Sequence, residues 1–332
     1  MIGRILLVGF LTACLWPMQV TTAAETGHSQ FMIQNIPVQL PYMPLSMGDD
    51  TSVDVYSLKT ALSVTVETRK TEYVIRYQKH QLEVEPGRAG ALLDGKWLLL
   101  KHPPVKTERG LLLPQRQLFD LLTVPYHEAN GHYVIDAESK SIADLQKTVE
   151  KTESVNRLRV KIGFIGVIQP DRWLVAATII TGGQPVGFGN LYEAARETKA
   201  DGTRTWKLTK LRTISDTANR VYMEWMKNGS IFENLASDKR PEFLVVETCG
   251  CTGQYQYGTM FSLTEMGFVP VWHSQSAYAG VQQTKNGWDL ITYRRDAVPN
   301  RTIAAMPYWE IHETWDGQSF VVNKQEYRDP LK

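Results

Sequence analysis

The first residues that could do chemistry are two closely spaced cysteines. Cys249 and Cys251 are separated only by Gly250, in a polar loop. In an oxidising compartment neighbouring thiols usually pair, and the glycine allows a tight local ring. Such a small ring is strained and easily reduced, which predicts either thiol-disulfide exchange or a clip that only closes the loop. The surrounding sequence has no cationic residue or helix start to activate a thiolate, which favours the clip.

Aromatic side chains in the C-terminal half are the second group that could bind a ligand. We select Tyr255, Tyr257, Trp272 and Trp309 as candidates for stacking against sugar rings or peptide partners. Tyr255 and Tyr257 are two residues apart on a predicted strand, so their side chains share one face of it. The alternative is that these rings pack inside a β-sheet body, which the high number of aromatic residues in this region favours.

The histidines and acids do not predict a metal site or a hydrolytic site. His127 and His132 flank a predicted turn, but two imidazoles lack the third ligand that zinc requires. Glu310 and Glu313 lie at odd spacing on a predicted strand, so they point to opposite faces and do not flank one glycosidic bond. We therefore expect no metal, no cofactor and no catalytic residues.

The first 24 residues predict an export signal. Arg4 precedes an apolar run over residues 5–16, and small residues occupy positions 21–24. This is the order of charged, apolar and small residues in a secretory signal peptide. The apolar run is shorter than the roughly 20 residues that span a bilayer. Cleavage after Ala24 predicts a mature protein that is secreted or lies at the extracytoplasmic cell surface.

Cys14 leaves a second interpretation of this leader open. Residues 11–14, Leu-Thr-Ala-Cys, resemble the bacterial lipobox, in which the cysteine is lipidated and anchors the mature protein to the membrane. The apolar run continues beyond Cys14, which favours cleavage after Ala24. Cys14 remains a lipidation candidate, and a lipid anchor there is the only membrane attachment that we expect.

Length and charge limit the classes of function. Removing residues 1–24 leaves 308 residues with 35 basic and 35 acidic side chains, since Arg4 is the only charged residue lost. A chain without net charge has no general attraction for nucleic acid or for anionic membranes, so we expect neither as a partner. This length predicts two domains, and a hydrophobic content of 43% is sufficient for packed cores.

An internal repeat organises the N-terminal region. Residues 58–64 return as residues 118–124, and Tyr73-Val-Ile returns as Tyr133-Val-Ile, all at the same offset of sixty residues. In each copy, leucines four residues apart predict a helix, and the β-branched residues that follow predict a β-hairpin. The pattern therefore predicts an α+β module made of two repeated halves.

The segment between the two copies carries a family resemblance. Asp94-Gly95 predicts a tight turn between two apolar strands, and Pro103-Pro104, Gly110 and Leu113-Pro114 follow in order. Residues 37–136 thereby resemble the copper amine oxidase N-terminal-like domain, a small exported module common in Gram-positive bacteria. The resemblance implies no copper or quinone chemistry, because in the amine oxidases this module lies far from the copper site. The Asn-Tyr-Asp/Glu and His-x-His patterns of the catalytic site do not occur in this chain.

Residues 137–154 predict a short amphipathic helix that links two bodies. Ile142, Leu145 and Val149 recur there at three- and four-residue spacing among polar residues. From residue 155 to residue 332, short apolar runs alternate with Gly, Asn and Asp, which predicts an all-β domain.

Two stretches of this C-terminal region resemble the blades of FG-GAP or VCBS-type β-propeller repeats. Residues 241–245, Pro-Glu-Phe-Leu-Val, and residues 315–320, Trp-Asp-Gly-Gln-Ser-Phe, carry the resemblance, which covers about residues 160–323. That family often binds calcium through an Asp-rich loop, but the matching residues here include Lys239 and Arg240 in place of carboxylate ligands. The length allows three or four blades, which predicts an incomplete propeller or a curved sheet stack as readily as a closed ring.

These features predict an exported protein that binds or interacts without catalysis, in the cell envelope or after secretion. The expected partner is a cell-wall polysaccharide or another envelope protein. The alternative from another class is a secreted enzyme, above all a thiol-disulfide oxidoreductase that uses Cys249 and Cys251.

Overall fold

The computed structural model describes most of the chain. The described residues are 31–107, 110–129, 131–153, 159–181, 184–214, 218–249, 255–285, 287–296 and 306–329. The predicted export leader, Cys14 and Cys251 lie outside these ranges. The described part is mostly β-structure in several sheets, with short helices. None of its helices has both the length and the apolar composition needed to cross a membrane.

The first half of the described chain alternates short strands with two short helices. The strands are β1 Phe31–Ile33, β2 Ile36–Gln39, β3 Ser46–Met47, β4 Asp50–Asp54, β5 Thr65–Arg69, β6 Glu72–Tyr77, β7 His80–Val84, β8 Gly90–Leu93, β9 Lys96–Leu99, β10 Val105–Thr107, β11 Gly110–Pro114, β12 Tyr126–Ala129 and β13 His132–Ile135. The helices are α1 Val55–Ala61 and α2 Gln115–Leu121.

The second half begins with one longer helix and continues as strands. The helix is α3 Lys140–Glu153. The strands are β14 Arg159–Gln169, β15 Arg172–Thr181, β16 Gln184–Thr198, β17 Arg204–Thr213, β18 Ala218–Met223, β19 Glu242–Cys249, β20 Tyr255–Thr264, β21 Gly267–His273, β22 Ala277–Thr284, β23 Gly287–Arg295, β24 Tyr308–Trp315 and β25 Phe320–Arg328.

The repeated segments adopt the same local order of helix and hairpin. Helix α1 precedes the β5–β6 hairpin, and α2 precedes the β12–β13 hairpin, sixty residues further on. Leu58 and Leu118, at matching positions of the two helices, are fully buried. Asp54 caps α1, because its carboxylate accepts hydrogen bonds from the backbone N–H groups of Tyr56 and Ser57 at 3.3 and 3.2 Å. Helix α2 follows Pro114 and has no such side-chain cap.

The two hairpins nevertheless belong to different sheets. Strands β5 and β6 open a five-stranded antiparallel meander that runs in chain order to β9. Its last turn is Asp94-Gly95, where both residues have positive φ, as the sequence predicts for a two-residue hairpin turn. Strands β12 and β13 instead form one end of an eight-stranded sheet.

The eight-stranded sheet crosses the expected domain boundary. Its order is β12-β13-β1-β2-β14-β15-β16-β17. Strand β1 is parallel to β13, and β2 is parallel to β14, where Val38 lies opposite Ile165. The N-terminal region is therefore not a separate α+β module, because its first two strands insert between β13 and β14 and join both regions through backbone hydrogen bonds.

Helix α3 lies within the segment that predicts a linker, but it packs into the core. Its apolar residues Ile142, Leu145 and Val149 are buried in a cluster that extends from Phe31 to Trp206. The indole N–H of Trp206 also donates to the backbone carbonyl of Ser141 at 2.9 Å. The amphipathic spacing thus reflects burial against the sheet rather than a spacer between two bodies.

The C-terminal strands form three antiparallel meanders in chain order. They are β14–β17 within the eight-stranded sheet, then β18–β21, then β22–β25. A second apolar core joins them, with Phe243 at its centre, 5.6 Å from the ring of Phe261 and 5.0 Å from that of Phe268.

Two polar side chains, Gln39 and Glu193, connect the sheets to each other. The buried Gln39 amide donates to the backbone carbonyl of Met223 at 2.7 Å and accepts from its N–H at 2.9 Å. The β20–β21 turn is held against the eight-stranded sheet by Glu193, which accepts from the Phe268 N–H at 2.9 Å and pairs with Arg172 at 3.2 Å.

Candidate functional site

Two adjoining cavities lie beside β4, at the start of α2. Their volumes are about 500 and 390 Å³, and Asp49, Asp50 and Arg116 line both. The ionisable side chains that line only one of the two are Glu128, His132 and Tyr133 in the larger and Lys101, His102 and Asp120 in the smaller. We call the combined space the Asp50 groove. It is the candidate site because it combines two adjoining concavities with a set of charged side chains.

Asp50 fixes the geometry of the groove floor. Its carboxylate accepts hydrogen bonds from the N–H of Thr51 at 2.8 Å, the N–H of Arg116 at 2.8 Å and the hydroxyl of Tyr133 at 2.9 Å. These donors come from β4, α2 and β13, so one side chain holds three elements in place. Asp50 is therefore a positioning residue with little hydrogen-bonding capacity left for a ligand.

Arg116 and Tyr133 form the wall of the larger cavity. The Arg116 guanidinium donates to Glu128 at 2.6 Å and also hydrogen-bonds Tyr133, and the latter contact is the main cause that raises the pKa of Arg116 above its usual value. Burial, followed by the hydrogen bond to Asp50, raises the pKa of Tyr133 to about 12. At neutral pH this wall therefore presents a permanent cation and a protonated hydroxyl.

The smaller cavity has a more open rim. The Lys101 ammonium lies 2.7 Å from both oxygens of Asp49, and this contact is the main cause that lowers the pKa of Asp49. The His102 ring packs on Gly48, where an added Cβ would lie 2.5 Å from the ring, at a φ of +68°. Nε2 of His102 is buried and has no hydrogen-bond partner among the described residues. The rim thus combines an exposed ion pair with a histidine ring nitrogen that makes no hydrogen bond among the described residues.

The groove offers polar recognition rather than an evident reaction. Carboxylates outnumber cations among its lining residues, and both hydrogen-bond donors and acceptors are present. Within the described ranges, no group of three or more His, Cys, Asp or Glu side chains is arranged to hold a metal ion. Side chains of this kind suit a ligand with many hydroxyl or amide groups, because each can be matched by a neighbouring partner.

A second polar cluster lies on the last sheet. His312 is buried, and its ring nitrogens face carboxylate oxygens of Asp289 at 3.3 Å and Glu310 at 3.0 Å. Thr314 and Asn323 also donate to Asp289, at 2.5 and 3.3 Å. Every member is hydrogen-bonded, and neither cavity of the Asp50 groove borders the cluster, so its geometry is that of a structural network.

The four aromatic candidates lie away from the Asp50 groove. Tyr255 and Tyr257 are partly buried on β20 and pack against the second core. Trp272 is buried, and its indole N–H donates to Glu313 at 3.2 Å. Trp309 is partly exposed; it donates to Asp296 at 3.2 Å, and its ring lies 5.2 Å from that of Tyr327. None of the four lines either cavity.

The cysteine candidates are described only in part. Cys249 is the last residue of β19, where it is buried and lies opposite Tyr255 on β20. Cys251 and Cys14 lie outside the described residues. Burial restricts access of another thiol or disulfide to Cys249, which a thiol-exchange site requires.

The sequence contains weak signals for the groove. Gly48-Asp49-Asp50 places two acids directly after a flexible residue, and Lys101-His102 precedes Pro103-Pro104. Charged residues beside turn residues are common on any surface, so neither pattern alone indicates a site. The position that completes the groove, Arg116, is fixed by hydrogen bonds to residues far away in the chain.

Comparisons with known proteins leave the family of the chain open. No family model matches it, and no curated protein matches it. Among solved structures, the chain is similar to the crystal structure of the N-terminal domain of Nup159, with probability 0.98, a TM-score of 0.24 and 10% sequence identity. The match covers 75% of this chain and 62% of that chain, which is less than two thirds of it. A TM-score this low supports no conclusion about fold or function.

Proposed function

We propose that the chain is an exported, non-catalytic binding protein of the cell envelope, which holds a hydroxyl-rich polymer of the cell wall in the Asp50 groove. The observation that carries this proposal is the hydrogen-bond network of Asp50, which fixes β4, α2 and β13 around the two cavities. A groove held in one shape before binding loses little conformational freedom when a ligand enters.

Two finer statements about architecture belong to the same proposal. The helix and hairpin order and the Asp94-Gly95 turn of residues 37–136 support a relationship to the copper amine oxidase N-terminal-like domain, in a form that shares a sheet with the C-terminal strands. The meanders β14–β17, β18–β21 and β22–β25 are blades of a partial propeller, which their four-stranded antiparallel order supports.

Sedimentation with purified cell-wall material tests the binding function. The mature protein, residues 25–332, is mixed with insoluble wall fractions, and the bound share is measured. Lys101→Ala combined with Asp49→Ala is expected to lower the apparent affinity at least tenfold, because it removes the rim ion pair without touching the core. The matched control is Lys207→Ala with Glu197→Ala, a similarly exposed ion pair between β17 and β16 whose Nζ–Oε1 distance is 3.0 Å.

Two results would contradict the proposal. Equal loss of binding in both double variants would show that general surface charge, rather than the groove, holds the wall polymer. Reduction of insulin disulfides that depends on Cys249 would show that the chain is a catalyst, with thiol exchange as its activity.

A further inference from the structure

Strand β9 is an outer edge of the five-stranded sheet. The sheet order β5-β6-β7-β8-β9 leaves β9 with one neighbour, β8. In an antiparallel pair, opposite residues alternate between those that exchange backbone hydrogen bonds and those that do not. The two-residue turn makes Leu93 and Lys96 a hydrogen-bonded pair, and the Leu100 N–H donates to the Ala89 carbonyl at 2.7 Å. The backbone groups of Trp97 and Leu99 therefore point outward, away from β8.

These outward groups have no partner within the described residues. No backbone hydrogen bond on that side of β9 is formed by Trp97 or Leu99. Their side chains lie on one face of the strand and are 70% and 68% exposed, among the most exposed large apolar side chains in the described chain. The Trp97 indole extends over Gly90, with 3.4 Å between its nitrogen and the position that a Cβ of Gly90 would take.

Two other sheet edges, those of β17 and β25, carry several charged residues. Strand β17 carries Arg204, Lys207 and Lys210, and β25 carries Lys324, Glu326 and Arg328. Strand β9 carries only Lys96, at its start. Charged residues are the usual protection of an edge against pairing with another chain, so an edge that displays Trp and Leu instead is open to such pairing.

We infer that β9 pairs antiparallel with β9 of a second copy of this chain, about a two-fold axis at Leu98. In this register Trp97 of one copy lies opposite Leu99 of the other, and each pair exchanges both of its backbone hydrogen bonds. Each Lys96 lies opposite Leu100 of the other copy, so the two lysines are at opposite ends and do not repel each other. The edge is thus complementary to itself in hydrogen bonding and apolar contact, and the register keeps the two lysines apart. This interface is independent of the Asp50 groove, which β9 does not line.

Light scattering after size-exclusion chromatography gives the first test. The mature protein is expected to change from a monomer to twice that mass as its concentration rises through the micromolar range. Leu99→Lys and Trp97→Lys, both at exposed positions, are expected to remain monomeric at every concentration. The control is Thr209→Lys, at an exposed position on the charged edge β17. Its neighbour Leu208 packs on the core and is therefore not substituted.

Cysteine cross-linking tests the register itself. Leu98 of the two copies would form a pair without hydrogen bonds, with about 4.5 Å between Cα atoms, which lies within the range that a disulfide spans. Under mild oxidation Leu98→Cys is expected to give a covalent dimer, whereas Lys96→Cys, several residues from its counterpart, is not. The unsubstituted protein, treated in the same way, accounts for the native cysteines.

Three outcomes would overturn the inference. The first is a monomeric mass at all concentrations. The second is a dimer that persists in both lysine variants at positions 97 and 99. The third is cross-linking of Lys96→Cys as fast as that of Leu98→Cys. Far-ultraviolet circular dichroism of each variant shows that it is folded, so a lost dimer is not confused with a lost structure.

Discussion

At the scale of single residues, Glu242 is the most unusual acid of the second core. It is fully buried, and its carboxylate accepts hydrogen bonds from the N–H groups of Leu235 and Ala236 at 2.8 and 3.3 Å. These bonds hold the loop that precedes β19. Burial is the main cause that raises the pKa of Glu242 to about 7, against 4.5 in a solvated chain.

The raised pKa gives stability a definite dependence on pH. The folded protein binds the Glu242 proton more tightly than the unfolded chain does, so the stabilisation is complete below about pH 4.5 and is lost as the pH rises through about 7. The free energy of unfolding is expected to fall by at most about 3 kcal/mol between pH 5 and pH 8. Urea unfolding at both pH values measures the difference.

Glu242→Gln isolates this effect. The amide oxygen can accept both backbone N–H groups and the amide nitrogen can donate to Ser262, so the fold is retained while the titration is removed. The variant is expected to lose most of the fall in stability between pH 5 and pH 8. Glu265→Gln, at an exposed position, is the matched control and is expected to behave like the unsubstituted protein. An unchanged pH dependence in Glu242→Gln would assign the fall to other groups, first of all to Glu224, whose pKa burial raises to about 6.

At the scale of elements, the Gln39 side chain forms hydrogen bonds that a neighbouring strand would otherwise form. Its side-chain amide satisfies both backbone groups of Met223, and thereby connects the end of β2 to the end of β18. Gln39→Met keeps the volume but leaves a buried N–H and a buried carbonyl unpaired. The expected loss in the free energy of unfolding is about 2–4 kcal/mol.

A substitution of the same kind on the surface separates the two contributions. Gln282 is exposed on β22, so Gln282→Met is expected to change stability by less than about 0.5 kcal/mol. Equal effects of both substitutions, measured by urea unfolding, would mean that the Gln39 contact contributes nothing beyond a change of side-chain type.

Local elements follow from the sequence, whereas their pairing does not. The leucine spacing and the β-branched runs predict the helices and hairpins at an offset of sixty residues, and the structure has α1, α2 and both hairpins there. The same local pattern gives no reason for β5–β6 to enter a five-stranded sheet while β12–β13 pairs with β1. Pairing between distant strands depends on which faces remain to be buried, and a local periodicity does not contain that information.

The candidate site likewise has a part that the sequence predicts and a part that it does not. The acids and basic residues of the groove are visible in the sequence, but Asp50 joins residues from β4, α2 and β13 only after the sheets have formed. Its donors are separated by up to 82 residues of chain, from Thr51 to Tyr133. The spacing rules that predict a helix or a hairpin have no counterpart for a site assembled over such a distance.

At the scale of the whole molecule, the shared sheet predicts that the N-terminal region cannot fold by itself. A fragment of residues 25–136 lacks β14, the partner of β2, and lacks α3, whose residues cover the same core as Leu58 and Leu118. It also loses the hydrogen bond from the Ser139 hydroxyl to the Ala61 carbonyl at 2.6 Å. The fragment is expected to show the circular dichroism of an unfolded chain and rapid amide exchange at β1 and β2.

The chain of residues 25–332 is the control for that experiment. In it the amide groups of β1 and β2 are expected to be protected against exchange, because both strands lie in the interior of the eight-stranded sheet. A fragment that folds cooperatively and protects the same amides would contradict the shared sheet and restore an autonomous domain at residues 37–136.

The parallel pairing of β2 with β14 also sets the order of events during synthesis. Val38 lies opposite Ile165, so β2 cannot pair with β14 until more than a hundred further residues have been synthesised. Contacts between such distant parts of a chain form slowly, and open strands are prone to pair wrongly in the interval. This interval covers more than a third of the synthesis of the 332-residue chain, and shielding of β2 during it would favour the correct pairing.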